Sequence, residues 1–149
     1  MSAAFNLMDT SPAQDAPLQM RNRLTCQNRL AELVSRTPSV VFASLATVDG
    51  RSFAHANAPG RGADAQRAAA IMSSLMGLIE SFSRESLDGR ALYNSIATEH
   101  GSIVLVRVPS KAKQHTLCVC ADASDILATT IRTALDTAAQ LAVAIDAVD

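Results

Sequence analysis

Tryptophan is absent from this sequence, and the other rings are so sparse that aromatic residues make up only 3% of its 149 residues. The core must therefore be aliphatic, and there are few rings on which the bases of a single-stranded nucleic acid could stack. Charge of one sign is also missing. Thirteen basic residues meet 14 acidic ones for a net charge of −1, which excludes the basic footprint of a nucleic-acid or anionic-membrane binder. No apolar run reaches the roughly 18 residues of a transmembrane helix. The N-terminus lacks the basic start and apolar core of a secretory signal. Cysteine occurs three times, an odd count without framework spacing, which fits a reducing compartment. The expected location is cytoplasmic.

What remains is an ordinary globular chain. Apolar residues are 48% of the total, and the length suits one domain with a proper core. Residues 1–17 carry Pro12 and Pro17 and no periodicity, so they read as a flexible tail, although Phe5, Leu7 and Met8 could dock. From Leu18 to Arg36 the spacing predicts a helix with Met20, Leu24, Leu30, Ala31, Leu33 and Val34 on its apolar side, stopped by Pro38.

Val40 to Ala58 then reads as two strands hinged on Asp49-Gly50. Asp tolerates positive φ and Gly adopts it freely, so the dipeptide predicts a type I′ hairpin. The first strand is apolar on both faces, as in a strand buried on both sides. The second, with Arg51, His55 and Asn57, reads as an exposed edge. After the loop Ala58 to Gly62, Asp64 is placed to cap a helix reaching about Arg84. Its core face reads Ala68, Met72, Leu75, Met76, Ile79 and Phe82, and beside it runs a small-residue stripe, Ala69, Ser73 and Gly77. Glycine inside a helix costs roughly 1 kcal/mol against alanine, and a second backbone passing close by is a reason to accept that cost.

Strands are expected over Ala91 to Thr98, Ser102 to Val108 and His115 to Ala121, with a basic loop at Lys111 and Lys113. Asp122 or Ser124 would cap a last helix whose face is Leu127, Ile131, Ala134, Leu135, Ala138, Leu141, Ala142 and Ile145. The order is α-β-β-α-β-β-β-α. It predicts an α/β fold with a five-stranded, mainly antiparallel sheet and helices on both faces.

Catalytic motifs are scarce. His115, Cys118 and Cys120 suggest a metal, but alternation on a strand puts His115 on the face opposite the two thiols. The cysteines then read as small buried hydrophobes, and no metal or other cofactor is expected. There is no Gly-x-Ser-x-Gly elbow. Pro59-Gly60-Arg61-Gly62 lacks the ending of a phosphate loop. No catalytic residue is assigned. The small stripe is the exception to this bland picture, because a second face on a helix that already has a core face suggests contact with a second copy of the chain.

The element order, the hairpin at Val48-Asp49-Gly50, the helix ending before Pro38-Ser39-Val40, the turn Glu99-His100-Gly101 into Ser102-Ile103-Val104-Leu105, and the closing helix Asp122 to Leu141 with Arg132 together resemble the Roadblock dynein-light-chain family. The resemblance covers about Leu18 to Ile145, so residues 18–149 are read as a Roadblock-type domain. Family members often have Gly where this chain has Ser39, and the loop Pro59 to Ala63 is longer than is typical.

The resemblance implies a profilin-like sheet and a homodimer in which the middle helices meet and edge strands join. Ala69, Ser73, Met76 and Gly77 would then make the helix contact, with Tyr93 and Ser95 on the paired edge. Relatives act as non-catalytic adaptors, including the bacterial MglB-type partner of a small Ras-like GTPase, at most stimulating GTP hydrolysis by the partner. Arg67, Glu80 and Arg84 are the expected partner surface. The competing expectations are a small-molecule sensor domain of similar α/β shape, which needs an apolar cavity of roughly 300 Å³ or more, and a metal or thiol enzyme.

Overall fold

Alternating apolar positions over the strands, and three- and four-residue spacing over the helices, produce the expected order in the computed structural model, which describes residues 12–112 and 114–148. The elements are α1 (Pro12–Arg36), β1 (Val40–Thr47), β2 (Ser52–Asn57), α2 (Ala65–Leu87), β3 (Tyr93–Thr98), β4 (Gly101–Arg107), β5 (His115–Asp122) and α3 (Leu127–Ile145). The five strands form one antiparallel sheet in the order β2-β1-β5-β4-β3. β5 is central, flanked by β1 and β4, and β2 and β3 are the edges.

The two faces are covered unequally. On one side α1 and α3 close over Val40, Ala43, Leu45, Ala54, Val104, Val106, Leu117 and Val119, with Cys26, Leu30, Ala134, Ala138 and Leu141 buried between them. Fully burying one such aliphatic side chain stabilises the fold by about 1.5–3 kcal/mol, which makes this the principal core. On the other side α2 alone packs Ala69, Met72 and Met76 against Ala46, Leu105 and Cys118.

Several local readings are corrected by this packing. α1 begins at Pro12, so Pro12 to Pro17, read as tail, belong to the helix. Phe5, Leu7 and Met8 lie outside the described residues. The buried side of α1 is set by Cys26, Leu30, Leu33 and Val34, which leaves Met20, Leu24 and Ala31 exposed. Asn22, one turn before Cys26, fixes that phase by donating to the carbonyls of Ile145 (3.2 Å) and Ala147 (3.1 Å).

The hairpin is not type I′, because Asp49 does not take positive φ. Instead the Gly50 N–H closes a turn onto the Thr47 carbonyl at 3.0 Å, and Gly50 itself sits at φ 86°. That is the three-residue connection ending in a left-handed glycine. Register then slips: Leu45 faces Ala54 and Ala46 faces Ser52, so Phe53 is an extra, bulged residue. It swings onto the α1 side and meets His115 edge-on at 4.8 Å. Glycine is also required at 101, where a Cβ would lie 2.0 Å from the Ala121 carbonyl oxygen.

Asp64 caps α2 as expected, its Oδ1 accepting from the Arg67 N–H at 2.8 Å. Neither Asp122 nor Ser124 caps α3. The Asp122 carboxylate accepts from the Ser124 N–H at 3.0 Å and from Arg61 at 3.0 Å, and α3 starts behind Ile126 without a side-chain cap. Leu135 on α3 and Phe82 on α2, both assigned to core faces, are exposed. Among the described residues no helix is long and apolar enough to cross a membrane.

Candidate interaction surface

α2 presents its residues in two halves. In the first half, small side chains let the β1–β2 hairpin come close. A Cβ on Gly50 would lie 3.5 Å from the Ala70 Cα and 3.7 Å from the Ser73 Cβ. The Ser73 hydroxyl donates to the Val48 carbonyl at 2.5 Å. The Gln66 amide donates to the Gly50 carbonyl at 3.3 Å and accepts from the Ser52 N–H at 3.3 Å. Ala69 is fully buried against Ala46. The small stripe is thus occupied within the protomer at Ala69 and Ser73. At Gly77 it is not: none of the described residues comes within 4 Å of where a Cβ would stand.

In the second half the outward side of α2 is apolar and uncovered. Ile71, Leu78 and Phe82 follow one another at seven and four residues, and Leu78 and Phe82 are 69% and 65% exposed. Side chains at such spacing share a helix face. Leu87 at the helix end, Leu92, 77% exposed just before β3, and Tyr93, 40% exposed at the start of the edge strand, are further exposed apolar residues. An exposed apolar stripe on a helix marks a candidate interaction site.

Glu80 fastens this surface together. Its side chain is only 13% exposed and accepts from the Ala91 N–H at 3.0 Å, the Arg84 Nε at 3.1 Å and the Arg107 Nη2 at 3.3 Å. One carboxylate thus ties α2 to the start of β3 and to β4. The Ala91 N–H, followed by the charges of Arg84 and Arg107, holds its pKa below the usual carboxylate value.

The two sheet edges differ. The outward N–H of His55 on β2 donates to Gln27 Oε1 at 3.0 Å, and Gln27 Nε2 donates to the His55 carbonyl. On β3 the described backbone bonds run to β4 alone. An open edge is a template for pairing with another strand.

The residues expected from the sequence separate accordingly. Gly77, Tyr93 and Ser95 lie exposed, Gly77 on α2 and the other two on the open edge. Ala69 and Met76 are buried in the protomer's own core and offer little to a second chain, because the core phase of α2 runs through them and Met72. Ser73 is half-buried and engaged with Val48. Arg67 and Arg84 are exposed, whereas Glu80 is an internal anchor and not free surface. Sequence reasoning missed Ile71, Leu78 and Leu92. The seven-residue step from Ile71 to Leu78, continued to Phe82, was the available signal.

His115 lies on the α1 side of the sheet and Cys118 and Cys120 on the α2 side, as alternation requires. Among the described residues no three His, Cys, Asp or Glu side chains converge as a metal set. A groove of about 930 Å³ between α1 and β2, lined by Gln27, Val34, His55, Asn57 and Pro59, is open and mixed in polarity. It does not resemble the enclosed apolar cavity of a sensor.

No family model matches the sequence, and no curated protein is similar to it by sequence. The likeness to solved structures is one of fold. An MglB in a tetrameric arrangement superposes with a TM-score of 0.74 at 15% identity, over 84% of this chain and 90% of that one. The gliding protein MglB of Thermus thermophilus gives 0.72 at 13% identity, over 84% and 91%. A Roadblock/LC7 domain from Streptomyces avermitilis gives 0.66 at 19% identity, over 77% and 92%. The chain has a Roadblock-like fold.

Proposed function

We propose that this protein is a cytoplasmic, non-catalytic regulator of the Roadblock type, which forms a homodimer through α2 and the β3 edge and binds a small Ras-like GTPase or a related assembly. The observation that carries this reading is the exposed apolar face Ile71, Leu78 and Phe82 of α2, together with the β3 edge, whose described backbone bonds run to β4 alone. A second copy would bury both features at once, helix against helix and strand against strand. The fold is shared with MglB proteins, one of them described in a tetrameric arrangement, which supports self-association. The scarcity of catalytic groupings supports an adaptor role in which any effect on GTP hydrolysis is exerted through the partner's own residues.

The experiment is size-exclusion chromatography with light scattering on the wild type and on the Leu78→Asp, Phe82→Asp double variant. The wild type is expected at twice the chain mass and the variant at one chain mass, with unchanged circular dichroism. Affinity capture from the native cell then tests the partner. A small GTPase retained by the wild type and lost by the variant supports the reading. A monomeric wild type, or a dimer that retains no GTPase, overturns the corresponding half.

A further inference from the structure

A cluster of soft sulfur lies between α2 and the sheet, and the proposed function makes no use of it. Cys118 and Cys120 leave β5 on the same face, and their Sγ atoms stand 3.7 Å apart. Cys118 is buried in one cluster with Met72 and Met76 of α2, and Cys120 packs against it. The Met76 thioether is oriented by the Asn94 amide, which donates to its sulfur at 3.1 Å. Directly across from Cys118 on β1 is Ser44, fully buried, with a hydroxyl that has no hydrogen-bond partner among the described residues. A buried polar group left unmet is rare and requires a physical reason.

Two thiols and a thioether in an apolar setting select soft ions, Cu(I) above all. Metal–sulfur bonds of about 2.3 Å reach two sulfurs at this separation with a bent angle at the metal. A zinc site would need four ligands in a tetrahedron, and the described residues supply no third His, Cys, Asp or Glu here. The sequence-level objection was that His115 points the other way. The third donor suggested by the packing is Met76, brought over from a different element.

We propose that Cys118 and Cys120 bind one Cu(I) ion as thiolates, with the Met76 thioether as the third donor and the Ser44 hydroxyl turned to donate to the Cys118 thiolate. Two thiol protons are released to solvent, three copper–sulfur bonds form, two to thiolates and one to the thioether, and no electron is transferred. The ion gives Ser44 the partner it lacks. It also links β5 to α2, the helix that carries the exposed apolar face.

The test is competition for Cu(I) between the reduced full-length chain and bicinchoninate, without oxygen. One equivalent retained per chain is expected. Cys118→Ser and Cys120→Ser should each weaken retention by more than about 100-fold, and Ser44→Ala by about tenfold, the range for ligand and supporting residues. Met76→Leu, which keeps the volume, should also weaken it, and Cys26→Ser should leave it unchanged. If a cysteine variant fails to fold, X-ray absorption of the copper-loaded wild type decides, with a shell of sulfur neighbours expected. No stoichiometric Cu(I), retention unaffected by either Cys118→Ser or Cys120→Ser, a nitrogen or oxygen shell, or preferential retention of Zn(II) would each overturn the proposal.

Discussion

Gln27 of α1 satisfies both outward backbone groups of His55 on β2, accepting from its N–H at 3.0 Å and donating to its carbonyl. A single carboxamide thus plays the part of a neighbouring strand, and the β2 edge is closed from within the protomer. Each such hydrogen bond contributes about 0.5–1.5 kcal/mol net, so Gln27→Ala should lower stability by about 1–3 kcal/mol. It should also expose the edge and promote association beyond the dimer, seen as rising light scattering. Urea unfolding with an unchanged midpoint would show that Gln27 does not guard this edge.

Gly77 separates the effects of helix propensity and contact. None of the described residues lies within 4 Å of its missing Cβ, so Gly77→Ala should stabilise an isolated chain by about 0.8–1 kcal/mol through helix propensity. If a second α2 packs at that point, the added methyl must weaken association. The expected result is a higher melting temperature at low protein concentration together with a larger dimer dissociation constant. A variant that is both more stable and more tightly associated would remove Gly77 from the contact.

How much of this was legible in the sequence depends on what each signal reports. The run Val40 to Val48, apolar on both faces, reads as a strand buried on both sides, and β1 is so buried, because continuous apolar character is a local property of the chain. The helices were placed but their phases were not. α1 turns on Cys26 and Asn22, a thiol and an amide, together with Leu30, and leaves Met20 and Leu24 outside. α2 has apolar residues all round, so period 3.6 alone could not tell which stripe meets the sheet. Period 3.6 thus gives Ala69 to the contact stripe, Met76 to both the core face and the contact, and Phe82 to the core, whereas Ala69 and Met76 are buried and Phe82 is exposed. Glu80 looked like a solvated charge because its partners, Ala91 and Arg107, are distant in sequence. The Asp49-Gly50 turn was located correctly, but its type depended on Ser73 and Gln66 of a later helix.

Acid should lower the stability of the protein over two pH ranges, the first carried by His115 and the second by Glu80 together with Asp49 and Asp122. His115 is only 9% exposed, and burial pushes its pKa below the ordinary 6.5, partly opposed by the Asp146 carboxylate. The unfolded chain therefore binds a proton that the folded one resists, so this contribution is complete above about pH 6.5 and is lost as pH falls through the folded pKa. Glu80 also has a depressed pKa, here because its anion is held by the Ala91 N–H and by Arg84 and Arg107. Its contribution is present above the unfolded carboxylate value of about 4.3 and is lost only as pH falls below that. Melting temperatures taken downward from neutral pH should thus decline first near the imidazole range and again near the carboxylate range. His115→Phe should flatten the first decline and leave the second, and Glu80→Gln should leave the first and reduce the second to the share of Asp49 and Asp122, while loosening β3 from α2. A first decline that persists in His115→Phe would mean that another group titrates there and that the buried imidazole does not govern stability near neutrality.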